Sequence, residues 1–257
     1  GLKGLFSFCI RLSAALLRAD YDLIECHAVP YLPIFICFLI RLYKKNSLII
    51  VWHEVLGRHW FSFHPVLGFC GYLIEKLALL LPVRHAAISE FVFKKLPQKN
   101  RILFEKLLDW PAIAQARPVK NQYDIIFAGR FVKYKQAGLL MEALGELASQ
   151  KIFPKTLLIG EGPLKNNLKA LKTIKNLNHV EFLGAVPDIY PYLKAAKLFV
   201  LPSKREGLSF LTLEAQACGA KVITIEAPLN AAKTLTPYVC GNNRTALAGE
   251  IGRHLIL

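Results

Sequence analysis

Glu206-Gly-Leu-Ser-Phe-Leu-Thr-Leu-Glu214 sets two carboxylates eight positions apart, with a glycine turn after the first and a helical pattern running into the second. A strand pattern ends just upstream at Pro202-Ser203. Downstream come Ala215-Gln-Ala-Cys-Gly219 and another strand pattern over Lys221–Ile225. A strand, a tight turn and a helix N-terminus make an anion site, because backbone N–H groups and the positive end of the helix dipole face the loop. Two acids beside such a site are repulsive toward an anion unless they accept hydrogen bonds from hydroxyl groups. The combination suits a sugar joined to a nucleotide diphosphate.

Working outward, short β-like runs alternate with helical patterns, the mark of parallel α/β architecture. The pattern predicts strands over Leu23–Cys26, Leu48–Trp52, Ala86–Ser89, Ile102–Phe104, Asp124–Ala128, Thr156–Ile159, Val180–Leu183, Leu198–Leu201 and Val222–Ile225. Helical spacing is clearest at Gln136–Ser149, Pro163–Leu171 and Ser209–Cys218. The stretch Ala112–Gln122 has a proline, polar neighbours and no apolar period, so it reads as a linker. Two α/β domains are expected, residues 1–117 and 118–257.

Three further segments carry chemistry. Gly129-Arg130-Phe-Val-Lys-Tyr-Lys135 follows a strand. Its glycine lets backbone approach a ligand, and two cations five residues apart can reach one diphosphate, Arg as a planar fork and Lys as a point charge. Lys133 is equally cationic at this level. Ile159-Gly160-Glu-Gly-Pro163 joins a strand to a helix, where glycine permits close approach to a nucleotide and equally serves a chain reversal. His53, at a strand end, could bind a sugar or orient a hydroxyl. His53-Glu54 lacks a second His four positions on, so it is no zinc-protease motif. His27, His59 and His64 read as packing or interface residues.

Composition bounds the rest. The 257 residues are 54% apolar with a net charge of +15, and mean hydropathy is positive. Residues 1–117 hold 15 basic and 8 acidic side chains, and residues 118–257 hold 18 and 10. Without a basic block or low-complexity tail, a nucleic-acid arm is not expected. A basic, apolar globule suits a phosphate-bearing substrate or an anionic membrane surface. The longest apolar stretch, Ala28–Ile40, contains Pro30 and Pro33 and is too short to span a bilayer of about 20 helical residues. Nor does Leu2–Leu17, broken by Lys3 and Arg11, look like a signal peptide. Six scattered cysteines without a Cys-x-x-Cys pair read as reduced thiols of a cytoplasmic protein.

Pro202 to Gly219 resembles the signature of family 4 glycosyltransferases of the GT-B fold, two Glu separated by seven residues and followed by Ala-x-Ala-x-Gly. The Gly129–Lys135 segment is similar to that family's Gly-Arg-x-x-x-x-Lys motif, with Gln136 where a Gly is usual. The Gly160 turn and His53 also match family positions, whereas Lys106-Leu-Leu-Asp109 departs from the usual Asn-Gly before an Asp. The resemblance implies two Rossmann-like domains of GT-B type, with residues 1–117 on the acceptor side and 118–257 binding the nucleotide sugar. Each would be incomplete, since the family opens with a strand and a Gly-rich loop and continues through further helices.

The resemblance further implies a retaining glycosyltransferase of hexosyl type that needs no metal or other cofactor. Glu206 would contact donor sugar hydroxyls and Glu214 the ribose. Backbone around Gly207, Leu208 and Ser209 would hold the phosphates, with Gly129 and Gly160 beside the donor. Arg130 and Lys135 would stabilise the departing diphosphate, and His53 would complete the catalytic set. The acceptor would be a glycan or lipid-linked hydroxyl, reached at the inner face of the cell membrane. Read from residue type alone, Trp60, Phe61, Phe63, Phe69 and Tyr72, with Arg58, Lys76 and Arg84, make either an interfacial surface or part of the core. A truncated, non-catalytic nucleotide-sugar-binding protein and a GT-B nucleotide-sugar epimerase remain open alternatives.

Overall fold

Apolar runs too short for helices, such as Ile49-Ile-Val-Trp52 and Leu198-Phe-Val-Leu201, become parallel strands covered on both faces. The computed structural model describes residues 2–62, 65–104 and 108–255. They fall into two units, Gly1–Lys106 and Leu107–Leu257.

The first unit runs α1 (Leu2–Arg18), β1 (Leu23–His27), α2 (Leu32–Lys44), β2 (Ser47–Trp52), α3 (Pro65–Leu79), β3 (Arg84–Ala87), α4 (Glu90–Phe93) and β4 (Arg101–Leu103). Its four strands form a parallel sheet in the order β1-β2-β3-β4. As an edge strand, β1 alternates exposed and buried residues. The core gathers Ile24, Ile34, Ile50, Trp52, Ala87 and Val92. The Trp52 indole donates to His85 Nδ1 at 3.0 Å, and His85 Nε2 donates to the Leu81 carbonyl at 3.1 Å. These two bonds define a neutral imidazole, and burial lowers its proton affinity below the ordinary histidine value.

Glu75 on α3 organises the loop after β2. Only 1% exposed, it accepts hydrogen bonds from the Leu56 N–H (2.9 Å), the Gly57 N–H (2.6 Å), the Tyr31 hydroxyl (2.8 Å) and the Trp60 indole (3.2 Å). Gly71 leaves room for the Trp60 ring, which a Cβ there would meet at 2.5 Å. Trp60 therefore packs inward, the core side of the two readings, while Phe61 and Phe69 are exposed. Phe63 and His64 lie outside the described residues.

The second unit runs α5 (Trp110–Gln115), β5 (Tyr123–Ala128), α6 (Ala137–Ser149), β6 (Thr156–Ile159), α7 (Lys165–Ile174), β7 (Val180–Leu183), α8 (Tyr190–Leu193), β8 (Ala196–Leu201), β9 (Arg205–Glu206), α9 (Phe210–Ala217), β10 (Lys221–Ile225), β11 (Leu229–Asn230), β12 (Tyr238–Cys240) and α10 (Arg244–Leu255). Six parallel strands form one sheet, ordered β12-β10-β8-β5-β6-β7, and β9 with β11 makes a separate two-stranded pair. One face packs Phe127, Leu140, Met141, Leu144 and Leu147 against residues of α7 and α10. The other packs Ile126, Phe199 and Leu201 against α8 and α9.

The division between units falls earlier than the 117/118 boundary read from the sequence. The supposed linker contains α5, capped by Asp109, whose Oδ1 accepts the Ala112 N–H at 3.0 Å. Ile113 is buried. Lys194 Nζ holds the Ala116 and Ala114 carbonyls at 2.7 and 3.3 Å, and the Val119 N–H donates to the Pro191 carbonyl. Six helical residues are too few to show an apolar period, so this anchoring was invisible in the sequence.

Two expected outcomes test these readings. Glu75→Ala leaves four donors facing a cavity and lowers the stability of the first unit by at least about 3 kcal/mol, read from urea unfolding through Trp52 and Trp60 fluorescence. An unchanged midpoint would show that the carboxylate contributes nothing. Gln136, between a short 3-10 turn and α6, sits at φ 51° and ψ 37°. A Cβ in that left-handed region costs roughly 1–2 kcal/mol. Gln136→Gly removes that strain, and the urea midpoint of the second unit rises by the equivalent of about 1 kcal/mol.

Candidate functional site

The chain order of the six-stranded sheet reverses between β5 and β8. From β5 it proceeds outward through β6 and β7, then returns to the other side of β5 with β8. Loops leaving the carboxyl ends of two such strands diverge and leave a crevice, the usual ligand position in open α/β sheets. Here the diverging loops are residues 129–136 and 202–209, the two segments singled out in the sequence.

The first loop is held from one side by the turn after β6. Gly160 packs so closely that a Cβ would come within 2.0 Å of the Gly129 carbonyl oxygen. The Phe131 N–H donates to the Glu161 carbonyl (2.8 Å), and the Leu164 N–H donates to the Phe131 carbonyl (3.1 Å). The strongest observed demand on Gly160 is therefore packing between two loops. Gly129 itself needs no space, but its φ of 151° excludes most side chains.

From the other side, the Lys204 N–H donates to the Tyr134 carbonyl at 2.8 Å. Next to this bond, Lys135 Nζ meets Glu206 Oε1 at 2.6 Å. Glu206 is 9% exposed. Its position is fixed by β9, where it pairs with Asn230 of β11. Asn230 is fully buried and donates to Thr224 Oγ1 and the Ile225 carbonyl, both at 2.9 Å, while its Oδ1 accepts the Ala232 N–H. Asn230 thus ties Glu206 to the end of β10. Lys133 is exposed, so the structure distinguishes the two lysines that the sequence left equivalent. Arg130 is exposed too, its Nη2 donating to the Tyr134 hydroxyl at 3.1 Å.

Gly207 and Leu208 form the bend into α9, and Ser209 caps that helix. Its Oγ accepts the Thr212 N–H at 3.3 Å and the Thr212 hydroxyl at 2.7 Å. The Ser209 side chain is therefore committed to the cap, which leaves backbone at the helix N-terminus for an anion. Glu214 lies on α9 and accepts the Tyr190 hydroxyl at 3.4 Å. Burial, then the negative charges of Glu214 and Asp109, raise the Tyr190 phenol above its ordinary value, so it stays a donor.

A cleft of about 480 Å³ opens at the ends of β5 and β6. Gly129, Arg130, Gly160 and Glu161 line its polar edge, and Val186, Ile189 and Leu211 its apolar wall. Lys135, Glu206 and Glu214 are not among its lining residues; they flank it on the neighbouring loop and helix.

His53 belongs to the first unit, where it follows β2. Its Nε2 lies 2.6 Å from His27 Nδ1, with the rings stacked at 4.9 Å between centroids. Burial and His27 lower its proton affinity while Glu54 opposes them. His27, read from the sequence as a packing or interface residue, stacks on His53 and also bonds to it. Sequence reasoning also missed Glu75, Tyr190 and Asn230. Only Asn230, a turn-forming residue type in the segment between β10 and β12, left any signal.

Comparison with known proteins adds family context. The profile of the "Glycosyl transferases group 1" family matches residues 122–255. The uncharacterized glycosyltransferase MJ1059 of Methanocaldococcus jannaschii is 28% identical over 176 residues, 65% of this chain and 43% of its own length. The GDP-mannose-dependent monoacylated alpha-(1-6)-phosphatidylinositol monomannoside mannosyltransferase of Corynebacterium glutamicum is 32% identical over 117 residues, 42% of this chain and 30% of its own. The chain thus spans less than half the length of these curated relatives. The crystal structure of HepE from Anabaena, in complex with UDP-glucose, superposes with a TM-score of 0.74 at 17% identity, covering 94% of this chain and 71% of HepE.

Proposed function

The chain belongs to the group 1 glycosyl transferases, and we propose that it serves a retaining hexosyltransferase whose second unit binds the nucleotide-diphosphate sugar. The fold is α/β, two Rossmann-like units of GT-B type. The observation that carries the proposal is the Lys135–Glu206 ion pair at the point where the strand order reverses. The pair supports a reading in which a cation for phosphate stands next to an acid for sugar hydroxyls, with Arg130 on the edge of the adjacent cleft.

The apolar wall of Val186, Ile189 and Leu211 takes the base. Glu214, oriented by the Tyr190 hydroxyl, accepts the ribose hydroxyls. The diphosphate lies toward the N-terminus of α9, near Gly207–Ser209, where Arg130 and Lys135 meet its charge as it leaves. Glu206 then exchanges its lysine for hydroxyls of the transferred sugar. The acceptor hydroxyl attacks from the face the diphosphate leaves, and the departing phosphate oxygen takes its proton, so configuration is retained without a covalent enzyme intermediate. His53 accepts a sugar or acceptor hydroxyl. The GDP-mannose and UDP-glucose in the names of the relatives belong to the same donor class. Fixed cations and backbone donors make a divalent ion unnecessary in this scheme.

Calorimetric titration with UDP and GDP, run in EDTA, and a donor panel followed by diphosphate release test the reading. Glu214→Ala weakens binding by about 1.5–3 kcal/mol, the worth of a hydrogen bond to a charged group, in a protein that remains folded. Arg130→Ala and Lys135→Ala lower kcat more than they raise KM, because charge on the leaving group grows toward the transition state. Binding without diphosphate release on transfer would favour the non-catalytic alternative, and a strict need for Mg²⁺ would count against the whole scheme.

We further propose that the first unit attaches to an anionic membrane surface and that the acceptor is lipid-linked. No helix among the described residues is long and apolar enough to cross a membrane; the attachment proposed for this unit is to the surface. Helices α1, α2 and α3 contain a single acidic residue, Glu75, and it is buried. Phe6, Ile10, Leu39, Tyr43, Phe69 and Leu77 are exposed on the same helices, as are the basic residues Arg11, Arg18 and Lys76. Each basic residue near such a surface contributes about 1 kcal/mol, which salt weakens. Co-sedimentation with vesicles containing phosphatidylserine is expected at low salt and is reduced at high salt. Equal binding to neutral phosphatidylcholine vesicles would overturn the electrostatic argument.

A further inference from the structure

β1 and β2 run parallel with His27 opposite Val51, so the chain leaving β2 brings His53 alongside the end of β1. Glu25 and His27 occupy alternate positions on the exposed face of β1. His27 Nε2 lies 3.2 Å from Glu25 Oε1, and His27 Nδ1 lies 2.6 Å from His53 Nε2. An ion-pair contact and a hydrogen bond thus bring the three side chains into one line that ends at His53 Nδ1.

The chemistry of each group fixes the direction of that line. A carboxylate oxygen 3.2 Å from His27 Nε2 favours a hydrogen there over a bare lone pair. The other nitrogen of a neutral imidazole is then an acceptor, and His27 Nδ1 takes the hydrogen of His53 Nε2. A neutral His53 is left with Nδ1 bare. The gap between the rings has room for one hydrogen, so the pair takes up one proton, and that proton occupies His53 Nδ1 and removes the acceptor. The ionisable groups around His53 are His27, Glu54 beside it and, through His27, Glu25. Burial is the largest influence against protonation of His53, Glu54 opposes it, and a neutral His53 keeps the acceptor.

We propose that His27, backed by Glu25, is a positioning residue that fixes the tautomer of His53 so that Nδ1 is presented as an acceptor to a hydroxyl of the transferred sugar or of the acceptor. This use of the tautomer rests on the hydroxyl-binding role proposed for His53 above; the Glu25–His27 and His27–His53 contacts themselves do not.

The test reads imidazole N–H protons and two-bond ¹H–¹⁵N correlations of the full chain at neutral pH, with His53 assigned from a His53→Gln spectrum. The expected wild-type spectrum shows a slowly exchanging, far-downfield N–H on His53 Nε2 and an unprotonated shift for Nδ1. His27→Phe removes the downfield signal and lets His53 exchange with solvent. His27→Asn, whose amide oxygen accepts the same hydrogen, restores it. With UDP-glucose or GDP-mannose, whichever the donor panel turns over, kcat/KM falls about tenfold in His27→Phe, the worth of one hydrogen bond, and recovers in His27→Asn. A wild-type His53 protonated on Nδ1, or a spectrum that His27→Phe leaves unchanged, overturns the proposal. If the signals move as expected but His27→Phe and His53→Gln both transfer sugar at the wild-type rate, the hydroxyl-binding role of His53 falls while the line of hydrogen bonds stands.

Discussion

The Lys135–Glu206 ion pair is the constraint around which the second unit is arranged. A carboxylate 9% exposed carries a desolvation cost that only a close cation and well-made hydrogen bonds offset. The fold meets that need from two directions. The β5 loop delivers the lysine through a short turn whose last residue adopts a left-handed backbone. The β8 loop delivers the glutamate through β9, locked to β11 and Asn230. Neither loop could hold its charge alone, since removing one partner would strand the other in a poorly solvated place.

Rigidity is unevenly shared around the cleft. On the β6 side, backbone meets backbone, with Gly160 against Gly129 and Phe131 bonded to Glu161 and Leu164. That wall cannot change without breaking several bonds at once. On the β8 side the loops share one backbone bond, Lys204 to Tyr134, besides the ion pair among the contacts described above. In the proposed scheme an arriving anion takes Lys135 from Glu206 by a side-chain movement while the Lys204 bond keeps the two loops in register. The lysine would trade a carboxylate for a phosphate, and the glutamate would trade its ion pair for hydrogen bonds from neutral hydroxyls, so its cost of burial is met by those donors alone.

How much of this the sequence carries depends on the size of each feature. β5, β6, β8 and β10 were legible because strands covered on both faces read as unbroken apolar runs; β6 has the bounds expected, and the others begin a residue or two earlier. β9, β11 and β12 are two or three residues long, below any periodicity, and were missed. Yet β9 and β11 place Glu206, so the motif residue was readable while the device holding it was not. Arg130, Lys135, Glu206 and Glu214 stood out through residue type and spacing. That Lys135, not Lys133, meets the acid depends on the turn between them, which no spacing rule reveals.

The first unit shows the same boundary between local and non-local information. His53 was legible as a histidine at a strand end. Its partner His27 lies 26 positions earlier in the chain and meets it only because β1 and β2 pair in parallel with a particular register. Glu75 is more extreme. In a helix reading Gly-Tyr-Leu-Ile-Glu-Lys-Leu it looks like an ordinary solvated acid, and it is instead the buried acceptor for two backbone N–H groups, a tyrosine and a tryptophan. A loop following a strand has backbone donors that no strand satisfies, and a buried loop must find acceptors for them. Glu75 answers that demand for the segment directly after His53-Glu54, so the carboxylate on α3 fixes the backbone from which His53 projects. Two acids of opposite character thus stand behind His53: exposed Glu25 lies 3.2 Å from its partner His27, and buried Glu75 sets the position of the loop.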